Sequence, residues 1–426
     1  MTSMPDSTRI RSNSLWMMAD QVFRQSLGLL FSIWIARQYG PEGFGTLSFA
    51  LSFCALFGIV GTLGLNRILV RELADPRSGG QAESLIGVVI TLRLLAGGLV
   101  AVAAMATVLL VARDKALLVA ILSIGFILTP FDSIDLGFQA RLESVVVTRA
   151  RMVALTLSSL LKAWLLLRHA DLAVVAVAYV VDWAVAAAAL WWILRRSGGG
   201  ATFGLGDGRL WRGLLRESWP EIFAGFSALV FMRIDQVMLL AMRGAAEVGI
   251  MAVSSRLTEA WYFIPAALVS STYPVIVALG SKDPVAAERR QIQLYRQLIA
   301  LSVLAGCAAT LLGDWAISIV FGSAYAGAGP VLAIQTWCGL FMSLGIASGT
   351  WLMANRLVRF NLYRNACGAL VNVALNFLLI PRYGALGAAW ATLAAFCVAY
   401  FLFDFLVPTM RGIGLAKLRA VGLGRG

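Results

Sequence analysis

Charged side chains make up only 13% of this 426-residue chain, against about 25% in soluble domains. That scarcity excludes an ordinary soluble enzyme. Histidine occurs once, at His169 in a short connection between apolar runs. With no clustered carboxylates beside it, general acid–base chemistry has nothing to work with, and the chain reads as a non-enzyme. The five cysteines, Cys54, Cys307, Cys338, Cys367 and Cys397, all lie inside apolar runs and never at CxxC spacing. A disulfide framework and a zinc site are both excluded on that ground. Long polar stretches are missing too, so no extramembrane loop can fold as a catalytic domain, and the low hydrophobicity that marks disorder is reversed here.

What the chain has instead is apolar length. Sixty per cent of its residues are hydrophobic, and the mean hydropathy is +0.82. Twelve stretches reach the roughly 20 residues that cross a hydrocarbon layer of about 30 Å. They fall at about 13–36, 46–68, 85–111, 116–138, 145–167, 172–194, 218–242, 248–279, 295–320, 328–354, 362–380 and 384–407. Continuous apolar runs exclude a lipid-facing barrel, whose strands are short and alternate. The expected fold is an all-α integral membrane protein. The polar segment before Asn13 leads into a long apolar run that carries charges, which suits a first transmembrane helix and not a cleaved signal peptide.

Cations set the orientation. With a cytoplasmic N-terminus, 24 Lys and Arg fall in inside segments and 6 outside, so the positive-inside rule places both termini in the cytoplasm. This asymmetry also accounts for a net charge of +13 without any nucleic-acid partner. The longest polar interval, 195–217, holds Ser197-Gly198-Gly199-Gly200 and five arginines. It divides the chain into an N-terminal lobe, 1–194, a cytoplasmic linker, 195–217, and a C-terminal lobe, 218–426. Gly40 and Gly45 after the first span recur as Gly244 and Gly249 after the seventh, at the same spacing. Two related six-helix lobes would leave a cavity between them.

Charges inside apolar spans cost roughly 2.5–3.5 kcal/mol each at the bilayer centre, and so should face protein or water. In the first span Asn13, Met17, Asp20, Arg24, Gly28 and Ser32 form one stripe at helical spacing, widened by Gln21 and Gln25. Asp20 and Arg24, four apart, can pair with each other, or Arg24 can meet substrate. The seventh span carries Glu221, Arg233 and Asp235; the eighth carries Arg256 and Glu259, three apart, ahead of Pro265 and Pro274, which should bend it. Asp182 sits mid-span with no local partner, while Arg93 and Lys162 lie nearer span ends and are read as snorkelling. Basic groups lining a cavity suit an anionic ligand, since Arg offers bidentate donors to phosphate.

The residues resemble a known family. Ala36-Arg37-Gln38-Tyr39-Gly40-Pro41-Glu42-Gly43-Phe44-Gly45 is similar to the Ala-Arg-x-Leu-Gly-Pro-Glu-x-Phe-Gly turn of the polysaccharide repeat-unit flippases, members of the multidrug/oligosaccharidyl-lipid/polysaccharide superfamily. Gly64-Leu65-Asn66-Arg67, Arg71-Glu72-Leu73, Arg233-Ile234-Asp235-Gln236-Val237-Met238-Leu239, Val248-Gly249-Ile250 and Arg256-Leu257-Thr258-Glu259 continue the pattern in order. Phe321-Gly322 with Tyr325, and Pro381-Arg382-Tyr383-Gly384, complete it. Asn66 and Met251 depart from it, standing where the family often has Asp and Tyr. The resemblance implies a transporter that flips an undecaprenyl-pyrophosphate-linked oligosaccharide to the periplasmic leaflet, in O-antigen, capsule or exopolysaccharide synthesis, with a polysaccharide polymerase as expected partner. It implies no bound cofactor but coupling to H+ or Na+, for which Asp20, Asp182, Asp235 and Glu259 are the candidate acids. Arg24, Arg233 and Arg256, with Gln21 and Gln25, are the candidate substrate contacts. A drug/cation antiporter and a peptidoglycan-precursor flippase of the same superfamily are the competing readings.

Overall fold

The computed structural model describes residues 7–74, 82–141, 144–196, 203–205, 208–280, 282–355 and 357–422, with the side chains of 7–20, 82, 83 and 144 excepted. Every long element among them is helical, as the apolar runs require: with no water in hydrocarbon, a backbone must satisfy its hydrogen bonds within its own helix. In chain order these are α1 Ser7–Gly61, α2 Asn66–Ala74, α3 Ala82–Val111, α4 Ala116–Ser123, α5 Gly125–Leu128, α6 Ser133–Ala140, α7 Ser144–Leu167 and α8 Leu172–Arg196. There follow α9 Gly208–Arg243, α10 Ala245–Gly280, α11 Pro284–Val320, α12 Ala328–Ala354, α13 Arg359–Cys397, α14 Phe403–Leu406 and α15 Arg411–Ala420.

Ten stretches of the described residues are long and apolar enough to cross a membrane. Two of them, Gln21–Gly61 and Arg359–Leu406, are 41 and 48 residues long, about twice the roughly 20 that one crossing needs. Both are broken by a glycine in the left-handed region, Gly40 at φ 66° and Gly384 at φ 57°. Each therefore supplies two legs, which recovers the expected twelve. Left-handed backbone costs L-residues with a Cβ, so glycine ends the first leg, and Pro41 opens the next where its missing N–H is not needed.

Three stretches carry detail that the sequence pattern does not show. The expected span 116–138 is found within Arg113–Ala140, subdivided into α4, α5, a 3-10 turn over Thr129–Asp132 and α6. Pro130 has no N–H for the helical ladder, and the Cβ position of Gly125 is occupied by the Trp183 ring. The interval 195–217 is not all linker, because α9 already starts at Gly208. Beyond the last expected span the chain folds as α15, whose Ile413, Ala416 and Ala420 join a core with Leu294, Leu298 and Leu344. Pro265 and Pro274 both lie inside an unbroken α10.

The chain divides into two compact units, one of Met1–Trp34 with Ala50–Phe226, the other of Ile35–Phe49 with Ser227–Gly426. In the first, the turn Thr62-Leu63-Gly64 joins α1 to α2, and Gly64 lies against the α9 backbone, with Ser218 O only 2.8 Å from where a Cβ would stand. In the second, the repeated glycines pack against one another. A Cβ on Gly45 would fall on Ala245 O and 2.6 Å from Gly249 N, and one on Gly249 would fall on Pro41 O. The matched spacing thus records a close helix crossing built from small residues.

That crossing yields an expected result. Gly→Ala in an open helix position gains about 1 kcal/mol of propensity, and Gly98→Ala, with nothing within 4 Å of its Cβ, should gain stability. Gly45→Ala should instead lose about 1–3 kcal/mol through overpacking against backbone that cannot swing aside. Thermal unfolding of the purified protein in detergent checks both signs.

Candidate functional site

In the second unit, α9 and α10 bring the expected basic residues together around one acid. Arg233 Nη2 lies 3.0 Å from Glu259 Oε1, and Arg256 Nη1 lies 3.8 Å from Glu259 Oε2. The i, i+3 spacing puts Arg256 and Glu259 on one face of α10, and α9 supplies the second guanidinium. One carboxylate between two guanidinium groups leaves a net positive charge. All three side chains stay a quarter to a third exposed, so unused N–H donors remain available to an anion.

Asp235, two residues beyond Arg233, stays within electrostatic reach of Arg233 and Glu259 without touching either as an ion pair. It is buried at 6% exposure, its Oδ1 accepts the Gln236 backbone N–H at 2.8 Å, and it makes no salt bridge among the described residues. Asp235 and Glu259 nevertheless line one small cavity of about 50 Å³, together with Thr258, Tyr262, Gln335 and Thr392. Two carboxylates, hydroxyls and an amide there could hold a proton or a small cation. Among the described residues no three His, Cys, Asp or Glu side chains form a metal-binding group.

In the first unit, Gln21, Arg24 and Gln25 are all exposed on α1, as are the apolar Val22 and Leu30. The stripe is shorter than expected. Ser32 is buried and returns its hydroxyl to Gly28 O at 2.7 Å, so the exposed polar face ends at Gly28. The side chain of Asp20 lies outside the described residues. Asp182 has a partner that sequence distance hid: Lys162 Nζ at 3.0 Å from α7, with Ser158 Oγ donating at 2.6 Å. Lys162 also sits 4.4 Å from the Tyr179 ring centre. It does not snorkel.

Nor does Arg93. At 4% exposure it donates from Nε to Thr62 O at 3.1 Å, from Nη1 to Ser133 Oγ at 2.8 Å and from Nη2 to Asn66 Oδ1 at 2.7 Å. Near the α9 start, Arg71 pairs with Glu217 through two nitrogens, one at 2.8 Å, and Arg67 reaches Glu221 at 3.4 Å. These exposed pairs link α2 to α9 and contribute little each.

The sequence reading missed a fully buried triad in the second unit. Asp404, on α14, takes Lys417 Nζ of α15 at 2.5 Å and lies 3.7 Å from Arg364 Nη1 of α13. Lys417 also donates to Tyr400 O at 2.7 Å, and Arg364 to Ser348 Oγ at 2.9 Å. Arg364 and Lys417 are among the 24 cations that the charge asymmetry assigns to inside segments. A usable signal was present, since Asp404 is the sole charged residue between Arg382 and Arg411. Burial pushes the Lys417 ammonium down to about 8, with Asp404 opposing and Arg364 adding to the fall.

The motif residues around the two glycine breaks serve the scaffold of the second unit. Arg37 donates to the terminal α11 carbonyls Ile319 O and, at 2.8 Å, Val320 O. Tyr325 donates its hydroxyl to Ala36 O at 3.0 Å. Glu247 Oε2 accepts the Ala385 N–H at 2.7 Å, which caps the leg that starts after Gly384. Arg243 reaches Pro381 O at 3.3 Å. These bonds satisfy helix ends that would otherwise be orphaned.

Comparison with known proteins places this architecture. A family model described as polysaccharide biosynthesis protein matches residues 10–279. A comparison with curated proteins gives no match. Among solved structures, the inward closed conformation of the lipid II flippase MurJ is similar at a TM-score of 0.69 and 13% identity, covering 96% of this chain and 90% of that one. An inward-facing multidrug resistance MATE family transporter of the MOP superfamily gives 0.67 at 14% identity, covering 94% and 95%. A MOP superfamily transporter from Pyrococcus furiosus gives 0.57 at 13% identity, covering 98% and 96%. At such identities the likeness establishes the fold.

Proposed function

We propose that this chain, which belongs to the polysaccharide biosynthesis protein family of multi-pass membrane transporters, flips an undecaprenyl-pyrophosphate-linked oligosaccharide from the cytoplasmic to the periplasmic leaflet of a bacterial inner membrane. The observation that carries this reading is the sharing of Glu259 by Arg233 and Arg256, which leaves two forked donors with one negative charge between them. Exposed Arg24, with Gln21 and Gln25, adds donors on the polar face of α1. Such groups favour a pyrophosphate over a cationic drug. Moving phosphate and sugars through hydrocarbon is prohibitive, so a wet cationic path could take the head group while the prenyl tail stays in lipid. Alternating access by the two lobes, 1–194 and 218–426, would carry it across.

Coupling to H+ or Na+ would run through Asp235 and Glu259, which share a cavity. Asp182 is the weaker candidate because Lys162 already neutralises it, and Asp20 stays a candidate on sequence grounds. The cation asymmetry supports cytoplasmic termini, and it holds when Arg364 and Lys417, which are buried, are taken out of the 24 inside cations against 6 outside. A polysaccharide polymerase is the expected downstream partner.

The test is deletion of the gene in its host, with assay of surface polysaccharide and of the leaflet that holds lipid-linked oligosaccharide. Loss of surface glycan with intact units stranded on the cytoplasmic side is expected. Normal glycan with units already facing the periplasm would overturn the reading in favour of a drug/cation antiporter, which the buried, unbridged Asp235 would serve. Stranded peptidoglycan precursor would instead favour a lipid II flippase.

A further inference from the structure

Arg93 is a buried intramembrane cation with no carboxylate in contact among the described residues. Its three hydrogen-bonded partners, Thr62 O, Asn66 Oδ1 and Ser133 Oγ, are all neutral. No carboxylate lies within salt-bridge distance among the described residues, and two of its five N–H donors have no described acceptor. A guanidinium taken out of water with no counter-charge in contact is costly, and a distant, half-exposed carboxylate offsets that only in part.

Space for that counter-charge is present. Arg93 lines a cavity of about 120 Å³ in the first unit, walled by Gly58, Gly61, Asn66, Phe126 and Pro130. The acid on its wall, Asp132, acts on Arg93 through its charge but lies beyond salt-bridge distance of it; its Oδ1 takes Arg151 Nη2 at 2.6 Å, and its side chain is 54% exposed. Arg151 is in turn shared with Asp135 at 2.8 Å. The cavity therefore offers a buried guanidinium with spare donors, a wall of small and apolar residues interleaved with Thr62, Asn66 and Thr129, and one carboxylate, Asp132, that is half exposed.

We propose that this cavity is an oxyanion site that takes a phosphoryl group, held by the two spare N–H groups of Arg93 in the bidentate manner that phosphate oxygens favour. The site is distinct from the Arg233–Glu259–Arg256 cluster and uses none of its residues. That the phosphoryl group is carried on a prenyl lipid rests on the proposed function; that the cavity binds an oxyanion does not.

The geometry supplies its own fold-preserving test. Asn66 Oδ1 already accepts from Arg93 Nη2 at 2.7 Å, so Asn66→Asp places a carboxylate on the guanidinium with no change of shape. Gly61→Val adds bulk to the wall at a position where a Cβ meets only Gly97 Cα, 3.9 Å away. The parent for the measurement is the full chain carrying Arg24→Ala, Arg233→Ala and Arg256→Ala, purified in dodecyl maltoside, so that the proposed cargo contacts do not contribute. Isothermal titration with farnesyl pyrophosphate and, separately, inorganic pyrophosphate is the readout, with Tm recorded for every variant.

The parent is expected to bind farnesyl pyrophosphate, and Asn66→Asp, Arg93→Gln and Gly61→Val should each weaken it ten-fold or more, with Tm unchanged or raised in Asn66→Asp. A parent that binds neither probe, or an Asn66→Asp variant that binds as well as the parent, would overturn the site and leave Arg93 a purely structural cation. Equal affinity for both probes would overturn the lipid-borne part, and preference for the prenyl compound would support it. Because this is equilibrium binding to purified protein, a failure of the transport reading leaves the result interpretable.

Discussion

Replacing Asp404 with Asn should cost the protein about 3–5 kcal/mol and remove most of it from the membrane fraction, because this one carboxylate faces two buried cations. Asp404 and Lys417 are both 0% exposed and Arg364 is 1% exposed, so water cannot replace the missing charge. The size of the effect should follow the charge count. Lys417→Met leaves Arg364 to neutralise Asp404 at 3.7 Å, and is expected to cost less, about 1–3 kcal/mol, through the lost hydrogen bonds. Thermal unfolding in detergent orders the two variants, and a Lys417→Met protein less stable than Asp404→Asn would contradict the account.

The triad also predicts a pH dependence with a definite sign. Lys417 falls from an ordinary 10.5 to about 8 in the folded protein. Between those values the unfolded chain binds more protons at this position than the folded one, so stability contributed by the group rises with pH from about 8 to 10.5 and is level below 8. The difference in Tm between the wild type and Lys417→Met should grow across that window. Parallel profiles for the two proteins would show that Lys417 keeps its proton throughout.

Arg233→Ala and Arg256→Ala are expected to reduce transport of lipid-linked oligosaccharide ten-fold or more at normal protein levels, and Arg24→Ala likewise. The magnitude follows from losing one charge-assisted contact to pyrophosphate, about 1.5–3 kcal/mol. Stability decides between a binding site and a structural ion pair. Both guanidiniums and Glu259 are a quarter to a third exposed, where such pairs contribute about 0–1 kcal/mol. The variants should therefore keep their Tm within a few degrees while losing transport. Lys162→Ala should do the reverse, since it strands Asp182 with little solvent but touches no proposed cargo contact. Full transport in all three arginine variants would refute the cationic path.

Spacing along one helix was legible, and separation across helices was not. The i, i+3 pairing of Arg256 with Glu259 follows from helical period alone and is found at 3.8 Å. The Lys162–Asp182 pair joins α7 to α8 over 20 residues, and no period reports that. Arg93 was misread for the same reason. Its depth along α3 suggested snorkelling, but its acceptors come from the α1–α2 turn and the start of α6.

Amino-acid order by itself determined that the chain is a bundle of apolar helices with about twelve crossings, where its turns fall and which family it resembles. Those depend on hydrophobic length and on glycine and proline, whose backbone effects are local. Tertiary structure alone decided which intramembrane charges are neutralised. A buried charge is tolerated only beside a partner or a polar cavity, and the partner is chosen by packing between helices. Asp404 was therefore invisible as the centre of a triad until α13, α14 and α15 came together, while Glu259 could be read almost directly.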